Sequence, residues 1–237
     1  EKRNALSYEL VTELKQAFKE ARNDNSVKVI ILQAEGRVFS SGADLAYIEQ
    51  LQKNTYEENL EDSNHLRELF EMIYKHPKPV IAKVQGHAIA GGCGLAAVCD
   101  FVVTVPEAKF GYTEVRIGFI PALVSIFLIR KIGEAKAREL LLTGDLYSAG
   151  EVEKIGLVNW VVPSEQLDSK VNELADKLIT QNSGQSMSLT KQLLSDLPEL
   201  SLDRALTKAA ELNAKARGSD DCKKGIGAFL GKEKIVW

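Results

Sequence analysis

The chain has 237 residues, of which 45% are hydrophobic and 27% are charged, and its formal net charge is −3. These values are ordinary for a globular protein with one substantial core and a smaller appendage. Neither sign of charge forms a long run, which speaks against nucleic-acid and anionic-membrane binding, and no apolar stretch is long enough to span a bilayer. The three cysteines, Cys93, Cys99 and Cys222, lack metal-ligand spacing, so we expect reduced thiols in an intracellular protein and no bound metal.

The first half of the chain alternates helix signals with strand signals. Apolar residues at helical spacing after a capping Ser7 predict an amphipathic helix, and a capping box at Thr55 predicts the start of another. Short apolar runs predict buried strands between the helices. In chain order, the predicted elements are a helix over about 7–23, a strand over 27–32, helical segments that begin at 45 and 55, and strands over 79–85, 100–105 and 109–112.

The second half of the chain changes from mixed elements to helices alone. A capping box at Ser148 precedes a short helix, and strand signals end before Ser164. Strand–helix alternation followed by helices alone is typical of an α/β core with a helical appendage. A composition shift near residues 181–184 predicts a boundary between a core over 1–181 and a helical region over 182–237. The predicted elements are helices over about 121–132, 134–142, 165–181, 188–196, 202–217 and 220–230, and a strand over 157–162.

Two glycine-containing turns and one acidic segment carry the chemistry that the sequence predicts. Gly91-Gly92 lies between an apolar strand signal and the helix signal at Leu95–Cys99, where the first helical N–H groups have no internal partner and can hold an anion or a developing negative charge. A second turn, Phe39–Asp44, also contains a glycine, and an acidic segment follows at Phe110–Glu114.

At these three segments, and at Asn4-Ala5-Leu6 and Ala228-Phe229-Leu230, the chain resembles the enoyl-CoA hydratase/isomerase (crotonase) superfamily. The resemblance implies an α/β spiral of ββα units with C-terminal helices that build trimers, often paired into hexamers. Members of the family begin with a β-hairpin before the Asn-Ala-Leu segment, so we expect an opening piece to be missing here. The resemblance implies a cytoplasmic protein in a bacterium and leaves the mitochondrial matrix open, because a targeting peptide would be lost with that piece.

The resemblance also implies roles for individual residues. The backbone N–H groups of Ala43 and Gly91 would hold the thioester oxygen, and Glu114 would transfer the proton. Coenzyme A would enter as part of an acyl-CoA substrate, with no separate cofactor. Its implied contacts are Lys2, Arg3, Ser41, Ala43, Asp44, Leu45, Ala46 and Gly91, with Phe229 and Lys232 reaching it from a neighbouring subunit.

One departure from the family pattern bears on the reaction. Hydratases that resemble this chain carry a second glutamate where this chain has Gly94, and a glycine has no proton to move. The Ile120–Arg130 segment resembles members that hydrate branched, methylglutaconyl-type thioesters, so hydration of a 2-enoyl-CoA is the leading prediction. A Δ3,Δ2-enoyl-CoA isomerase with one glutamate is the alternative, followed by a non-catalytic protein that binds acyl-CoA or RNA.

The three histidines enter none of these predictions as catalysts. His87 adjoins the central turn at a place where the family often has an aromatic residue, so we predict a packing role for it. His65 and His76 lie in or after a predicted helix, and we expect both at the surface.

Overall fold

The computed structural model of the protein describes residues 4–43 and 45–237, without the side chains of residues 45 and 46. Within this part of the chain, two four-stranded sheets are surrounded by α-helices. The strands are β1 (Ile30–Gln33), β2 (Val38–Ser40), β3 (Val80–Val84), β4 (His87–Ile89), β5 (Phe101–Thr104), β6 (Lys109–Gly111), β7 (Tyr147–Ser148) and β8 (Trp160–Val161). The helices are α1 (Tyr8–Asn23), α2 (Leu45–Leu51), α3 (Tyr56–Tyr74), α4 (Gly91–Ala97), α5 (Ala122–Ile132), α6 (Glu134–Thr143), α7 (Ala149–Lys154), α8 (Leu167–Gln181), α9 (Gly184–Asp196), α10 (Leu202–Arg217) and α11 (Asp220–Gly231).

The first sheet is entirely parallel and forms the centre of the core. Its strands run in the order β1-β3-β5-β8, with Ile30 beside Val80 and Ile81 beside Phe101. A parallel sheet needs cover on both faces, which explains why the residues of β3 are almost all buried and apolar.

The second sheet positions the three segments that the sequence singled out. Its order is β2-β4-β6-β7, in which β2, β4 and β6 are parallel and β7 is antiparallel to β6. The carboxyl ends of parallel strands meet at the same edge of a sheet. The turns that follow Ser40, Ile89 and Gly111 therefore leave the sheet side by side.

The predicted helix starts of α1, α3 and α7 are confirmed by their caps. The Ser7 hydroxyl accepts a hydrogen bond from the amide of Leu10. Thr55 and Glu58 form both halves of a capping box, as Ser148 does with Glu151. Each cap satisfies N–H groups that have no partner inside the helix, which fixes where the helix begins.

The C-terminal part of the chain contains only helices, as predicted, in the residues described beyond Val161. Helix α9 is tied to the core through Lys191, whose ammonium group lies 2.5 Å from Asp100 and also donates to the carbonyl of Ile73. Helices α10 and α11 contain no buried residue. Helix α8 ends at the proposed 181/182 boundary, but the division into two domains stays a prediction.

No helix within the described residues is both long and apolar enough to cross a bilayer.

The structure corrects the expectations for two histidines. His76 is fully buried, because the amide of Lys78 donates to its Nδ1 atom and its Nε2 atom lies 3.2 Å from the carbonyl oxygen of Phe18. Burial lowers the pKa of His76, and the contacts of its ring link α1 to the turn after α3. His87 is exposed rather than packed, and its Nδ1 atom accepts the amide of Lys109.

Candidate active site

Three turns meet at the carboxyl edge of the second sheet. They follow β2, β4 and β6, which are neighbours in that sheet. The amide of Ala90, after β4, donates to the carbonyl of Gly111, the last residue of β6, at 2.8 Å. The structure therefore brings the Gly42-Ala43, Ala90-Gly91 and Tyr112–Glu114 segments together in one place.

Gly42 allows the first two turns to touch. Its φ of +79° is a left-handed conformation that side chains disfavour. A Cβ atom placed on it would lie 2.9 Å from Cβ of Ala90 and 3.1 Å from the amide nitrogen of Gly91. Any larger residue at position 42 would push the two turns apart.

The Asn4–Leu6 segment holds the first turn in position. The side-chain amide of Asn4 donates to the carbonyls of Glu35 and Val38, both at 2.8 Å. The hydroxyl of Ser40 donates to the carbonyl of Asn4, and the amide of Leu6 donates to the carbonyl of Gly42 at 2.9 Å. The hydrogen bonds of the Asn4–Leu6 segment thus fix the position of the turn that contains Ala43.

Two backbone N–H groups at this edge are available to a ligand. Gly91 is the first residue of α4, where an amide has no acceptor inside the helix. It follows Ala90, whose φ of 53° and ψ of −128° are unusual for a residue with a side chain. Neither the amide of Ala43 nor that of Gly91 is hydrogen-bonded to another residue within 4–43 or 45–237. That both amides hold one oxygen atom at the contact between the two turns stays a prediction.

Glu114 supplies the carboxylate of the site. It opens a short 3-10 turn, Glu114–Ile117, directly after β6, and its carbonyl accepts the amide of Phe119 at 3.0 Å. Its Oε2 atom is buried without a hydrogen-bond partner among the described residues. Burial raises the pKa of Glu114 above its ordinary value of 4.5. A raised pKa makes the carboxylate a stronger base than an ordinary glutamate.

The place of a second acidic side chain is filled by Val124. A Cβ atom on Gly94 would lie 2.1 Å from Cγ1 of Val124 and 3.5 Å from Cε2 of Phe70. Val124 is itself buried in α5, which packs against α4. The glycine at position 94 is therefore part of a close helix contact, and a side chain there would force Val124 to move.

Comparison with known proteins identifies the family. The family model described as enoyl-CoA hydratase/isomerase matches residues 1–237. The chain belongs to the enoyl-CoA hydratase/isomerase family. It is 44% identical to a putative enoyl-CoA hydratase of Thermus thermophilus, over 98% of this chain and 91% of that protein. It is 35% identical to a probable mitochondrial enoyl-CoA hydratase of Dictyostelium discoideum, over 99% of this chain and 83% of that protein.

A solved structure agrees with the predicted fold of this family. The enoyl-CoA hydratase of Mycobacterium smegmatis superposes with a TM-score of 0.94 at 29% identity, over 100% of this chain and 91% of that one. The expectation of an α/β, crotonase-like core followed by a helical region is thus confirmed. The protein is an enzyme of the hydratase/isomerase family.

Several residues that the family resemblance assigned to coenzyme A lie outside what the structure describes. These are Lys2, Arg3 and Asp44, together with the side chains of Leu45 and Ala46 at the start of α2. Ser41 is half-buried in the first turn. Phe229 is 82% exposed on α11, and Lys232 caps that helix with a φ of 55°. Their contacts with coenzyme A stay predictions.

The remaining polar groups near the hydratase/isomerase site have structural partners. Arg116 pairs with Asp145 and so ties the 3-10 turn of Glu114 to the loop after α6. The guanidinium of Arg130 lies 5.8 Å from the ring centre of Tyr74, beside a cavity of about 670 Å³ between α5 and α9. Neither Gly91 nor Glu114 lines that cavity.

Buried groups behind the site have little reactivity of their own. Burial raises the pKa of the Cys93 thiol to about 12, so it is not a nucleophile at neutral pH. Burial also raises the pKa of Tyr112, whose hydroxyl lies beside the Cys93 thiol. No group of three or more His, Cys, Asp or Glu side chains within the described ranges has an arrangement suited to a metal ion.

Proposed function

We propose that the protein binds an acyl-CoA thioester and transfers a proton at the carbon next to the thioester carbonyl, with Glu114 as the single carboxylate. The observation that carries this proposal is the buried, unpartnered Oε2 atom of Glu114 at the same sheet edge as two open backbone amides. Removal of that proton places negative charge on the carbonyl oxygen. The amides of Ala43 and Gly91 would stabilise this charge, each donor contributing roughly 10²–10³ in rate.

The pKa of Glu114 suits this role. An ordinary glutamate is a weak base, and its proton returns slowly to carbon. Because burial raises the pKa of Glu114, its carboxylate is a stronger base and its acid form persists closer to neutral pH. Coenzyme A would enter only as part of the substrate, and the proposed mechanism needs no separate cofactor.

Two reactions of this class are candidates. Hydration of a 2-enoyl-CoA, including a branched one, is supported by the names of the relatives, several of which are called enoyl-CoA hydratases. Migration of a double bond from the 3- to the 2-position is supported by the geometry, because Val124 fills the place beside Gly94 and leaves Glu114 alone. One carboxylate suffices to move a proton between two carbons.

The test is one assay with crotonyl-CoA and a 3-enoyl-CoA in parallel, with products identified by mass spectrometry. Addition of water to crotonyl-CoA assigns hydration. Conversion of the 3-enoyl-CoA alone assigns isomerisation. If the protein turns over neither of these substrates and also fails to turn over a branched enoyl-CoA, the proposal is contradicted. Calorimetric titrations with acyl-CoA and with RNA at two salt concentrations would then test the non-catalytic alternatives.

We also propose that the protein assembles as a homotrimer or a dimer of trimers. Helices α10 and α11 contain no buried residue, although both carry large apolar side chains. The exposed ones are Leu202, Leu206, Ile226, Phe229 and Leu230. Apolar side chains collected on two helices at the surface are typical of an interface. For the location, we propose the cytoplasm of a bacterium or the mitochondrial matrix.

A further inference from the structure

We infer that the cavity between α5 and α9 is a second ligand site, separate from the thioester site, and that it takes an alkyl carboxylate. The cavity has a volume of about 670 Å³. Pockets that hold small molecules have volumes of about 300–1,000 Å³. The inference goes beyond the proposed function, because it uses none of the residues assigned to proton transfer.

The cavity lies at the opposite end of α4 from the proposed oxyanion amides. Gly91 begins this helix, whereas Ala97, its last residue, lines the cavity together with Cys99. Gly91 and Ala97 are six residues apart, which corresponds to about 9 Å along the helix axis. Because neither Gly91 nor Glu114 lines the cavity, a molecule can occupy it while the thioester site is free.

The lining of the cavity suits a hydrocarbon chain. Apolar side chains contribute most of its surface, among them Phe101, Phe127, Leu178, Met187 and Leu194. Leu194 is 60% exposed, although it lies on this side of α9. A hydrocarbon chain in the cavity would remove such apolar surface from water, and this favours binding.

The charges around the cavity are unbalanced. Its lining contains the cations Arg130, Lys131 and Lys191 and one carboxylate, that of Asp100. Lys191 and Asp100 pair with each other. Neither Arg130 nor Lys131 forms a salt bridge with any residue that the structure describes. Two cations without acidic partners beside an apolar cavity favour a ligand that combines a negative charge with an apolar body.

Both cations keep donors for such a ligand. The ammonium of Lys131 donates to the carbonyls of Ala97 at 3.0 Å and Cys99 at 2.7 Å, so one of its three N–H groups has no acceptor within the described ranges. The guanidinium of Arg130 lies over the ring of Tyr74 and donates to no described residue. A carboxylate can accept two parallel hydrogen bonds from a guanidinium.

The surroundings of Lys131 favour a single negative charge on the ligand. Its two carbonyl acceptors lie at the carboxyl end of α4, where the helix dipole is negative and already compensates part of the ammonium charge. Burial lowers the pKa of Lys131, and a carboxylate beside it would stabilise its charged form. A monoanion therefore balances this site better than a phosphate dianion does.

Calorimetric titration of the full chain with octanoate, 1-octanol and acetate tests the chemistry of the ligand. Octanoate is expected to bind at one site per chain and more tightly than 1-octanol, which has the same chain length without the charge. Acetate has the charge without the chain and is expected to show no binding up to about 1 mM.

Three variants test the place of binding, after circular dichroism has shown that each is folded. Arg130→Gln is expected to weaken octanoate binding at least about threefold and to leave 1-octanol binding unchanged. Thr190→Phe places a ring in the cavity from an exposed position on α9 and is expected to weaken both. Arg138→Gln is the matched control, because Arg138 is an exposed arginine on α6 that pairs with Glu134 and lies outside the cavity. It is expected to change neither affinity.

Four outcomes would overturn the inference. Octanoate that does not bind would do so, and a Thr190→Phe variant of lower assembled mass would then show that a second copy of the chain fills the cavity. Octanoate affinity that is unchanged in both Arg130→Gln and Thr190→Phe would place the ligand elsewhere, as in the thioester site. Equal affinities for octanoate and 1-octanol would remove the role of the cations, and an equal loss in Arg138→Gln would make the effect of Arg130 one of general surface charge. None of these results bears on the proposed function, which the thioester assay tests separately.

Discussion

Burial disfavours the charged form of Glu114, and this suits its carboxylate to proton transfer. The side chain of Glu114 is half-buried, and its Oε2 atom has lost its hydration without a hydrogen-bond partner among the described residues. The cost appears as a raised pKa, since protonation removes the charge. A residue placed for stability alone would have been paired. The isolation of this carboxylate therefore supports a role in proton transfer.

Replacing Glu114 with glutamine tests that role directly. We expect kcat/KM for the active thioester to fall by roughly 10²–10⁴, because glutamine cannot accept the proton. Binding of acyl-CoA, measured by calorimetry, is expected to persist, because the Ala43 and Gly91 amides are backbone groups. Glu107→Gln is the control, since Glu107 is exposed and its carboxylate bonds to Ser164. A Glu114→Gln enzyme with near-normal turnover would remove this residue from the mechanism.

The raised pKa of Glu114 predicts a pH dependence of stability with a definite sign. The folded state holds this proton more tightly than the unfolded chain, so the free energy of unfolding falls as pH rises from about the ordinary value of 4.5 through the folded pKa. Glu114→Gln removes this fall in the free energy of unfolding, because glutamine does not titrate. The Tm of the variant relative to the wild type is therefore expected to be higher at pH 8 than at pH 4. A difference that does not change between the two pH values would contradict the assignment.

At the scale of the elements, the site depends on two turns that touch through Gly42. Gly42→Ala is expected to lower stability by about 1–3 kcal/mol from backbone strain, with further cost from the crowding against Ala90. Its kcat is expected to fall as well, because the two amides move apart. Gly36→Ala is a matched control, with a φ of +81° and no atom within 4 Å of the new methyl group. Urea unfolding measures the stability of both variants, and the thioester assay measures their kcat. Losses of stability and kcat that are equal in the two variants would contradict the contact between the turns.

Lys191 attaches α9 to the core through an ion pair with Asp100 and hydrogen bonds to two backbone carbonyls. Lys191→Met leaves the largely buried Asp100 without its partner and is expected to cost about 3 kcal/mol of unfolding free energy. Lys223→Met is the control, because its pair with Asp220 is exposed and such pairs contribute about 0–1 kcal/mol. Chemical denaturation of both variants measures the difference. If the two losses are similar, α9 is held mainly by its apolar contacts.

Local signals in the sequence were sufficient for the helices and the longer strands, because caps and apolar spacing act within a few residues. Ser7 and Thr55 are examples, and the structure confirms both helix starts. Strands β2 and β4 were not predicted as separate strands, since three residues carry no periodic pattern. The start of α4 at Gly91, rather than near Leu95, was missed because glycine is a poor helix former.

The residues of the site also divide into those with a local sequence signal and those whose role depends on distant contacts. Glu114, Ala43 and Gly91 were predicted from the sequence because they lie in segments with a recognisable order along the chain; the structure brings these segments together, and the roles of the three residues stay predictions. Val124 was not, because its role depends on a contact between α4 and α5 that no local pattern encodes. His76 was misplaced for a related reason. A polar ring can be buried when carbonyls and amides from distant segments satisfy it, and these partners are invisible in a single sequence.

At the scale of the whole molecule, the exposed apolar side chains of α10 and α11 predict assembly. Light scattering is expected to give a mass of three or six times 26.1 kDa. Leu206→Glu, at a residue 62% exposed on α10, is expected to shift the mass toward the monomer while the circular dichroism spectrum keeps its shape. Leu60→Glu on α3, at a residue 46% exposed, is the control and is expected to leave the mass unchanged. A wild-type monomer would contradict the proposed trimer.

The convergence of three parallel strands at one edge also has a consequence for how activity appears in time. Ala43, Gly91 and Glu114 come from segments separated by long stretches of chain, so the site has high contact order. Closing these loops costs entropy before the contacts between strands compensate for it. Helices can regain their signal early during refolding, whereas the amides and the carboxylate meet only after β2, β4 and β6 have all docked. Recovery of turnover after dilution from denaturant is therefore expected to lag behind recovery of helical content.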